Sequence, residues 1–325
     1  MTARHVRPYR EGDEKAILSA FAHVFPVPRS LPTWQWIYRD HPDGSHIMLC
    51  SLDDGQLAAH FAVTRHRAVF RGKPIVIAQP RDAFSLPRYR SLMLGRSGLF
   101  VKTAEALFNS CGWSEGVAFH YGFPSPRHLK LGQKQLGYRE GINWSRYHYD
   151  TGRPTPSGAP LGELREIARF GEEFDRLWQE REKEHTLAVV HDSRFLTWRF
   201  DRRSDRRYWV WGFFPHLTRE MSGYVILSPL GAKALLLDFR FPRQPGCARA
   251  FWLQIVEKLR WLGISEVETW FSDNAPERAG FIELGFEKLP QPEQTTLCYR
   301  FVEGGPGFEE VAPAFYFTMA DCDLF

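Results

Sequence analysis

Residues 75–108, IVIAQPRDAFSLPRYRSLMLGRSGLFVKTAEALF, run from an apolar strand through a basic, glycine-bearing turn at Arg88–Gly98 into an amphipathic helix. Phe100, Ala104, Leu107 and Cys111 recur at helical spacing on one face. Strand, turn and helix in that order make an anion site. The helix start frees backbone N–H groups, its dipole adds partial positive charge, and Arg88, Arg90 and Arg96 add full charges. A phosphate-bearing ligand is the expected guest.

Upstream, residues 3–9 read as a strand, and Ala16, Ile17, Ala20, Phe21 and Val24 form an amphipathic helix. The Trp-rich segment SLPTWQWIYRDHPDG (30–44) follows, then hairpin strands at 46–52 and 57–63 and at 66–70 and 74–84. Downstream come a strand at 116–121, a helix at 124–135, and Leu136-Gly137-Tyr138 leading into a strand that reaches Tyr149. Residues 151–160, TGRPTPSGAP, have linker composition.

The plan then repeats. SRFLTWRFDRRSDRR (193–207) matches the first Trp-rich segment, with Thr33-Trp34 set against Thr197-Trp198. Asp82 pairs with Asp238, Leu86-Pro87 with Phe241-Pro242, and Leu136-Gly137-Tyr138 with Leu284-Gly285-Phe286. An ordered series of this kind indicates a duplicated domain. Because the landmarks place Trp34, Trp36, Trp198 and Phe200 equivalently, these rings read as core.

The chain has 325 residues and is 43% apolar, enough for two cores. Its formal charge of +4, from 42 basic and 38 acidic residues, does not call for a nucleic-acid partner. The five cysteines form no CxxC pair, so neither a structural zinc nor a disulfide framework is expected, and no metal is assigned. No apolar run approaches the roughly 20 residues that span a bilayer, and the start lacks a signal-peptide core. A cytoplasmic protein with no membrane span is expected.

RPYREGDEKAIL near the start, LGRSGLF at the turn, YGFP after the fifth strand, and LGYRE and LGFEK near the end of each half together resemble the GNAT N-acetyltransferase superfamily, in its tandem form. The resemblance covers nearly the whole chain. It implies an α+β fold of two tandem GNAT-like domains, each a mixed, mostly antiparallel sheet flanked by helices. The first is placed at 1–150, the linker at 151–160, and a second, degenerate domain at 161–325. It further implies an acyl-CoA-dependent N-acyltransferase that moves an acyl group, acetyl or longer, onto the amine of a small molecule by direct attack on the thioester. The family's phosphate turn is an Arg or Gln, two variable residues, a Gly, a variable residue and a Gly or Ala. In the first half, Gly95 stands where the Arg or Gln belongs, and Ser91–Leu94 is an insertion.

On that resemblance the acyl-CoA contacts fall on Phe84, Leu86, Arg88, Arg90, Gly95, Arg96, Ser97, Gly98 and Leu99. Acyl transfer to an amine needs a proton acceptor, a stabilised oxyanion and an acid for the thiolate. Asp82 on the strand before the turn is a candidate base, set against an ion-paired structural role beside Arg81. His120 and Tyr121 end the fifth strand on opposite faces, so one of them should face the cleft, as base or as acid; His128 is a further candidate. The second half's turn, Arg243–Arg249, has one Gly and a Pro that removes a donor, and is expected to bind no cofactor. The tail, 314–325, either covers a sheet edge or lines the acceptor site with Asp321 and Asp323. The competing readings are a silent GNAT-fold binding or scaffold protein, and a transferase that uses an acyl-carrier-protein or aminoacyl-tRNA donor.

Overall fold

The structure, a computed structural model, describes residues 4–52, 56–92, 98–141, 144–154, 161–203, 205–292 and 295–322. The first half reads β1 (Arg4–Pro8), α1 (Glu14–Val24), α2 (Leu31–Trp34), β2 (Ser45–Leu52), β3 (Leu57–Phe70), β4 (Lys73–Ser85), α3 (Leu99–Ser110), β5 (Val117–Gly122), α4 (Pro126–Gln135), β6 (Arg139–Gly141) and β7 (Trp144–Asp150). The second half repeats it: β8 (Gly162–Glu166), α5 (Glu172–Arg181), β9 (Leu187–Val189), α6 (Ser193–Leu196), β10 (Trp209–Pro215), β11 (Gly223–Leu230), β12 (Lys233–Arg240), α7 (Cys247–Trp261), β13 (Glu266–Ser272), α8 (Arg278–Glu283) and β14 (Glu287–Leu289). Then come β15 (Leu297–Phe301), α9 (Phe308–Val311) and β16 (Phe315–Tyr316).

The duplication has a local physical basis. In both halves a short capped helix runs into one π-helical turn, at Gln35–Arg39 and Thr197–Asp201. The Ser30 side chain accepts from the Thr33 N–H, and that of Asp192 from the Phe195 N–H. These turns set Trp36 against Trp198, two positions away from the match suggested by the Thr-Trp motif, and all of these rings are buried. Both Leu-Gly-aromatic motifs are helix stops, with Gly137 at φ 69° and Gly285 at φ 97°, a region open to glycine at no steric cost.

The two compact units are not the two halves of the chain. One comprises Met1–Ile142 with Glu293–Ala312, the other Asn143–Pro292 with Pro313–Phe325. The first unit's sheet runs β1-β2-β3-β4-β5-β15-β6 and the second's β14-β7-β13-β12-β11-β10-β8. Each half therefore gives one strand away: β15 bonds between β5 and β6, and β7 between β13 and β14. The expected boundary at residue 150 is corrected accordingly. The physical reason is that any unpaired sheet edge of matching register satisfies a strand's backbone groups, and a strand's own sequence does not name the sheet.

Along the two strand orders just given, β4 with β5 and β12 with β13 are parallel and the other ladders are antiparallel; off them, β16 pairs with β9 in parallel. In the first unit, Phe61, Val63 and Ala78 meet Phe100, Ala104, Leu107 and Phe108 of α3, the helix face expected from spacing. Full burial of each large side chain contributes about 1.5–3 kcal/mol.

Candidate functional site: a pocket at the start of α7

In the second unit β12 and β13 pair only over Lys233–Leu235 and Glu266–Glu268, then diverge. β12 runs into a short turn closed by Gly246 at φ 76°, a left-handed conformation that favours glycine. The 15-residue α7 starts there with no side-chain cap; the Cys247 N–H is bonded to Gln244 O at 3.0 Å, and the N–H groups of Ala248 and Arg249 that follow are left for a ligand. They open on a pocket of about 520 Å³ whose lining sets Arg181, Arg243 and Arg249 among Glu184, Glu277 and Glu283, with Gly246 and Ala248 of the turn. Arg243 pairs with Glu184 on the rim. Glu277 is 8% exposed at its side chain, with Oε1 4.0 Å from Arg240, while Oε2 has no hydrogen-bond partner. Burial raises the Glu277 carboxyl above its ordinary range, against the pull of Arg240.

Beneath α5 and α6 lies a buried ionic cluster. His191 donates from Nδ1 to Asp238 at 3.1 Å and from Nε2 to Asp321 at 2.8 Å. Asp238 also accepts from Tyr224 at 2.8 Å and Thr318 at 3.0 Å. Burial alone would lower the His191 pKa, but the charges of Asp321 and Asp238 outweigh it and raise it to about 10. Burial would likewise raise Asp238, but His191 holds it below its ordinary value. The raised His191 therefore contributes stability in full below its unfolded value of about 6.5, and that contribution is lost as pH climbs through about 10. The depressed Asp238 contributes above its ordinary 3.8 and loses that contribution as the solution becomes more acidic. The urea midpoint of the wild-type chain is expected to fall between pH 7 and about pH 10.5, and that of His191→Gln to fall much less; equal slopes would remove the charged imidazole from the account.

The residues expected from sequence to form the donor site sit in the first unit and are largely apart. Asp82 occupies a β-bulge opposite β3 with φ 48°, a strained conformation for a side chain. Arg29 ion-pairs with it, Tyr38 donates to its Oδ2 at 2.5 Å, and His60 donates to its carbonyl at 2.7 Å. Asp82 is thus ion-paired, with Arg29 and not the neighbouring Arg81 as its cation. Both faces of β5 are covered, so neither His120 nor Tyr121 lines a cleft. His120 donates from Nε2 to Cys111 O at 3.1 Å, packs on Phe108, and is pushed down to about 3 by burial. His128 is held near 4 by burial among Phe61, Phe100 and Tyr138.

Phe84 stacks on His60 in the core, and Leu99 is buried with Cys50, Ala58 and Ala59. Arg88 donates to Gln56 at 2.6 Å and Arg90 to Ser85 O at 3.4 Å. Gly98 caps α3 at φ −64°, where no glycine is required. Leu86 and Arg88 do meet, in a pocket of about 430 Å³ against Ala16, Ala20 and His23 of α1. Gly95, Arg96 and Ser97 lie outside the described residues, as does Asp323.

Among the solved structures similar to nearly the whole chain are these three. A probable N-acyltransferase of unknown function from Enterococcus faecalis aligns with a TM-score of 0.72 at 14% identity, over 93% of this chain and 73% of its own. A GCN5-related N-acetyltransferase from Anabaena variabilis gives 0.69 at 11% identity, over 93% and 73%. A tandem GNAT protein from the clavulanic acid biosynthesis pathway gives 0.57 at 16% identity, over 94% of this chain and all (100%) of its own. The chain has the tandem GNAT fold. No protein-family model and no curated protein matches the sequence. The resemblance implies a phosphate turn between the strand that carries a domain's parallel contact, β4 or β12, and the helix that follows it. In the second GNAT unit that turn is Arg243-Gln244-Pro245-Gly246-Cys247-Ala248, which fits the family's pattern position by position. The expectation that this turn binds no cofactor rested on its single Gly and on Pro245. Its missing N–H costs nothing there, because the turn is closed by Cys247 N–H to Gln244 O at 3.0 Å. Arg181 and Glu277 carried no sequence signal, since distant parts of the second half bring them to this GNAT pocket. Among the described residues no cluster of His, Cys, Asp or Glu is placed to hold a metal ion, and no helix is long and apolar enough to cross a membrane.

Proposed function

We propose that the chain is an acyl-CoA-dependent acyltransferase acting on the amine of a small molecule, with the donor's phosphates held in the second unit. One observation carries this reading: the full phosphate-turn pattern, the uncapped start of α7 and a pocket with Arg181, Arg243 and Arg249 coincide. Acyl-CoA, when bound, supplies an acyl group activated as a thioester. Arg243 and Arg249 neutralise and orient phosphate oxygens by forked, charge-assisted hydrogen bonds. Gly246 and Ala248 keep the backbone open to close approach. Glu277, its carboxyl raised by burial, adds less negative charge to this pocket than an ordinary carboxylate would.

The test is calorimetric titration of the full chain with adenosine 3′,5′-bisphosphate, followed by thiol release from acetyl-CoA across an amine panel. Saturable binding below about 1 mM with thiol release supports the proposal, and absence of head-group binding at that concentration overturns the donor site. A second reading, a catalytically silent binding module, is favoured by the presence of Phe317 and Thr318 on the edge of β13 that faces β12. Head-group binding with no thiol release by wild type or by any tail variant would select it.

A further inference from the structure

The gap between β12 and β13 begins where the Thr269 hydroxyl donates to Leu236 O at 2.8 Å. β13 is paired with β7 along its whole length, from Glu266↔Asp150 to Ser272↔Trp144. Any other backbone partner of Phe271 and Ser272 must therefore lie on the edge that faces β12. That partner is the chain's own C-terminal segment. Thr318 bridges Phe271 in antiparallel sense, Ser272 N–H donates to Phe317 O at 3.1 Å, and Phe317 N–H donates to Ser272 Oγ at 3.3 Å. From the same place the Thr318 hydroxyl reaches Asp238 of β12 at 3.0 Å. The segment touches both walls of the gap, and Phe315–Cys322 is buried throughout.

Its two parts are held differently. Phe315 and Tyr316 pair with β9, Tyr316 stacks on His185 at 4.0 Å, and its hydroxyl accepts from Arg240 at 2.7 Å. Thr318–Cys322 carries a short turn of its own, in which Asp321 accepts from the Thr318 N–H at 2.9 Å. Its outer attachments are ionic or polar: His191 to Asp321 at 2.8 Å, and Arg199 to the carbonyls of Ala320 and Cys322 at 3.0 Å each. His191 also holds Asp238, so the release of Asp321 leaves the imidazolium with one counter-ion.

We infer that Thr318–Cys322 is a strap hinged on Phe315–Phe317, filling the gap that an acyl arm would enter. As folded, the second unit's pocket takes a phosphate-bearing adenosine head group alone, and admits an acyl thioester only when the strap withdraws. This rests on the donor reading of the pocket.

Hydrogen exchange on the full chain tests it, with adenosine 3′,5′-bisphosphate and acetyl-CoA added separately. Acetyl-CoA accelerates exchange of the Thr318–Cys322 amides about tenfold or more, and the bisphosphate leaves them unchanged. Asp321→Asn, which keeps the shape and removes the charge, tightens acetyl-CoA about tenfold and leaves bisphosphate affinity as in wild type. Acetyl-CoA binding with strap exchange unchanged overturns the strap and leaves the donor site standing. An Asp321→Asn variant with wild-type affinity for both ligands does the same. Failure of the bisphosphate itself to bind removes the donor site and the strap together.

Discussion

An Arg243→Glu/Arg249→Glu variant binds adenosine 3′,5′-bisphosphate about a hundredfold more weakly than wild type, whereas Arg88→Glu/Arg90→Glu binds it as wild type does. A hydrogen bond to a charged group contributes about 1.5–3 kcal/mol, and each tenfold in affinity is about 1.4 kcal/mol. Two contacts at the low end give the hundredfold, and the low end is appropriate because the Arg243 side chain is 59% exposed and therefore screened. Calorimetry at fixed ionic strength measures both variants. The comparison separates the two turns: Arg88 and Arg90 satisfy themselves on Gln56 and Ser85 O, while Arg243 and Arg249 line the pocket at the start of α7. A large loss confined to the Arg88/Arg90 variant would return the donor site to the first unit.

Asp238→Ala destabilises the second unit by about 3–5 kcal/mol, the usual cost of removing one partner from a buried, hydrogen-bonded ion pair. The substitution leaves the His191 imidazolium with Asp321 only, and the Tyr224 and Thr318 hydroxyls lose their shared acceptor. All five side chains are buried, so water does not replace what is lost. Denaturant unfolding followed by tryptophan fluorescence measures the change. A loss below about 1 kcal/mol would mean that the cluster is neutral, and would also remove the basis for the alkaline instability expected from His191.

Several features of this fold are local and could be read from sequence. The helix face of α3 follows from apolar spacing, and the two Leu-Gly-aromatic stops follow from what glycine alone tolerates. The site was harder to read, and for three different reasons. Asp82 was a reasonable base on its strand, but Arg29 and Tyr38, distant in sequence, arrive from the region around α2 and bind it. The alternation of His120 and Tyr121 correctly puts them on opposite faces, but both faces of β5 are covered, so neither meets a cleft. In the second half Pro245 was counted as a lost donor, when only the folded turn shows that its neighbours already close it.

By itself, the sequence determined the duplication, the helix faces and the glycine stops, because spacing, caps and glycine conformation act within a few residues; the GNAT type came from resemblance, and the phosphate turn was expected in the first half only. The tertiary structure alone decided that the halves exchange β7 and β15, that a pocket lined by Arg181, Arg243 and Arg249 opens at the start of α7, and that the tail stands between β12 and β13. Those outcomes depend on which unpaired edge, buried charge or open gap a segment meets, and such partners are remote in sequence, as His191 and Asp321 are at a separation of 130 residues.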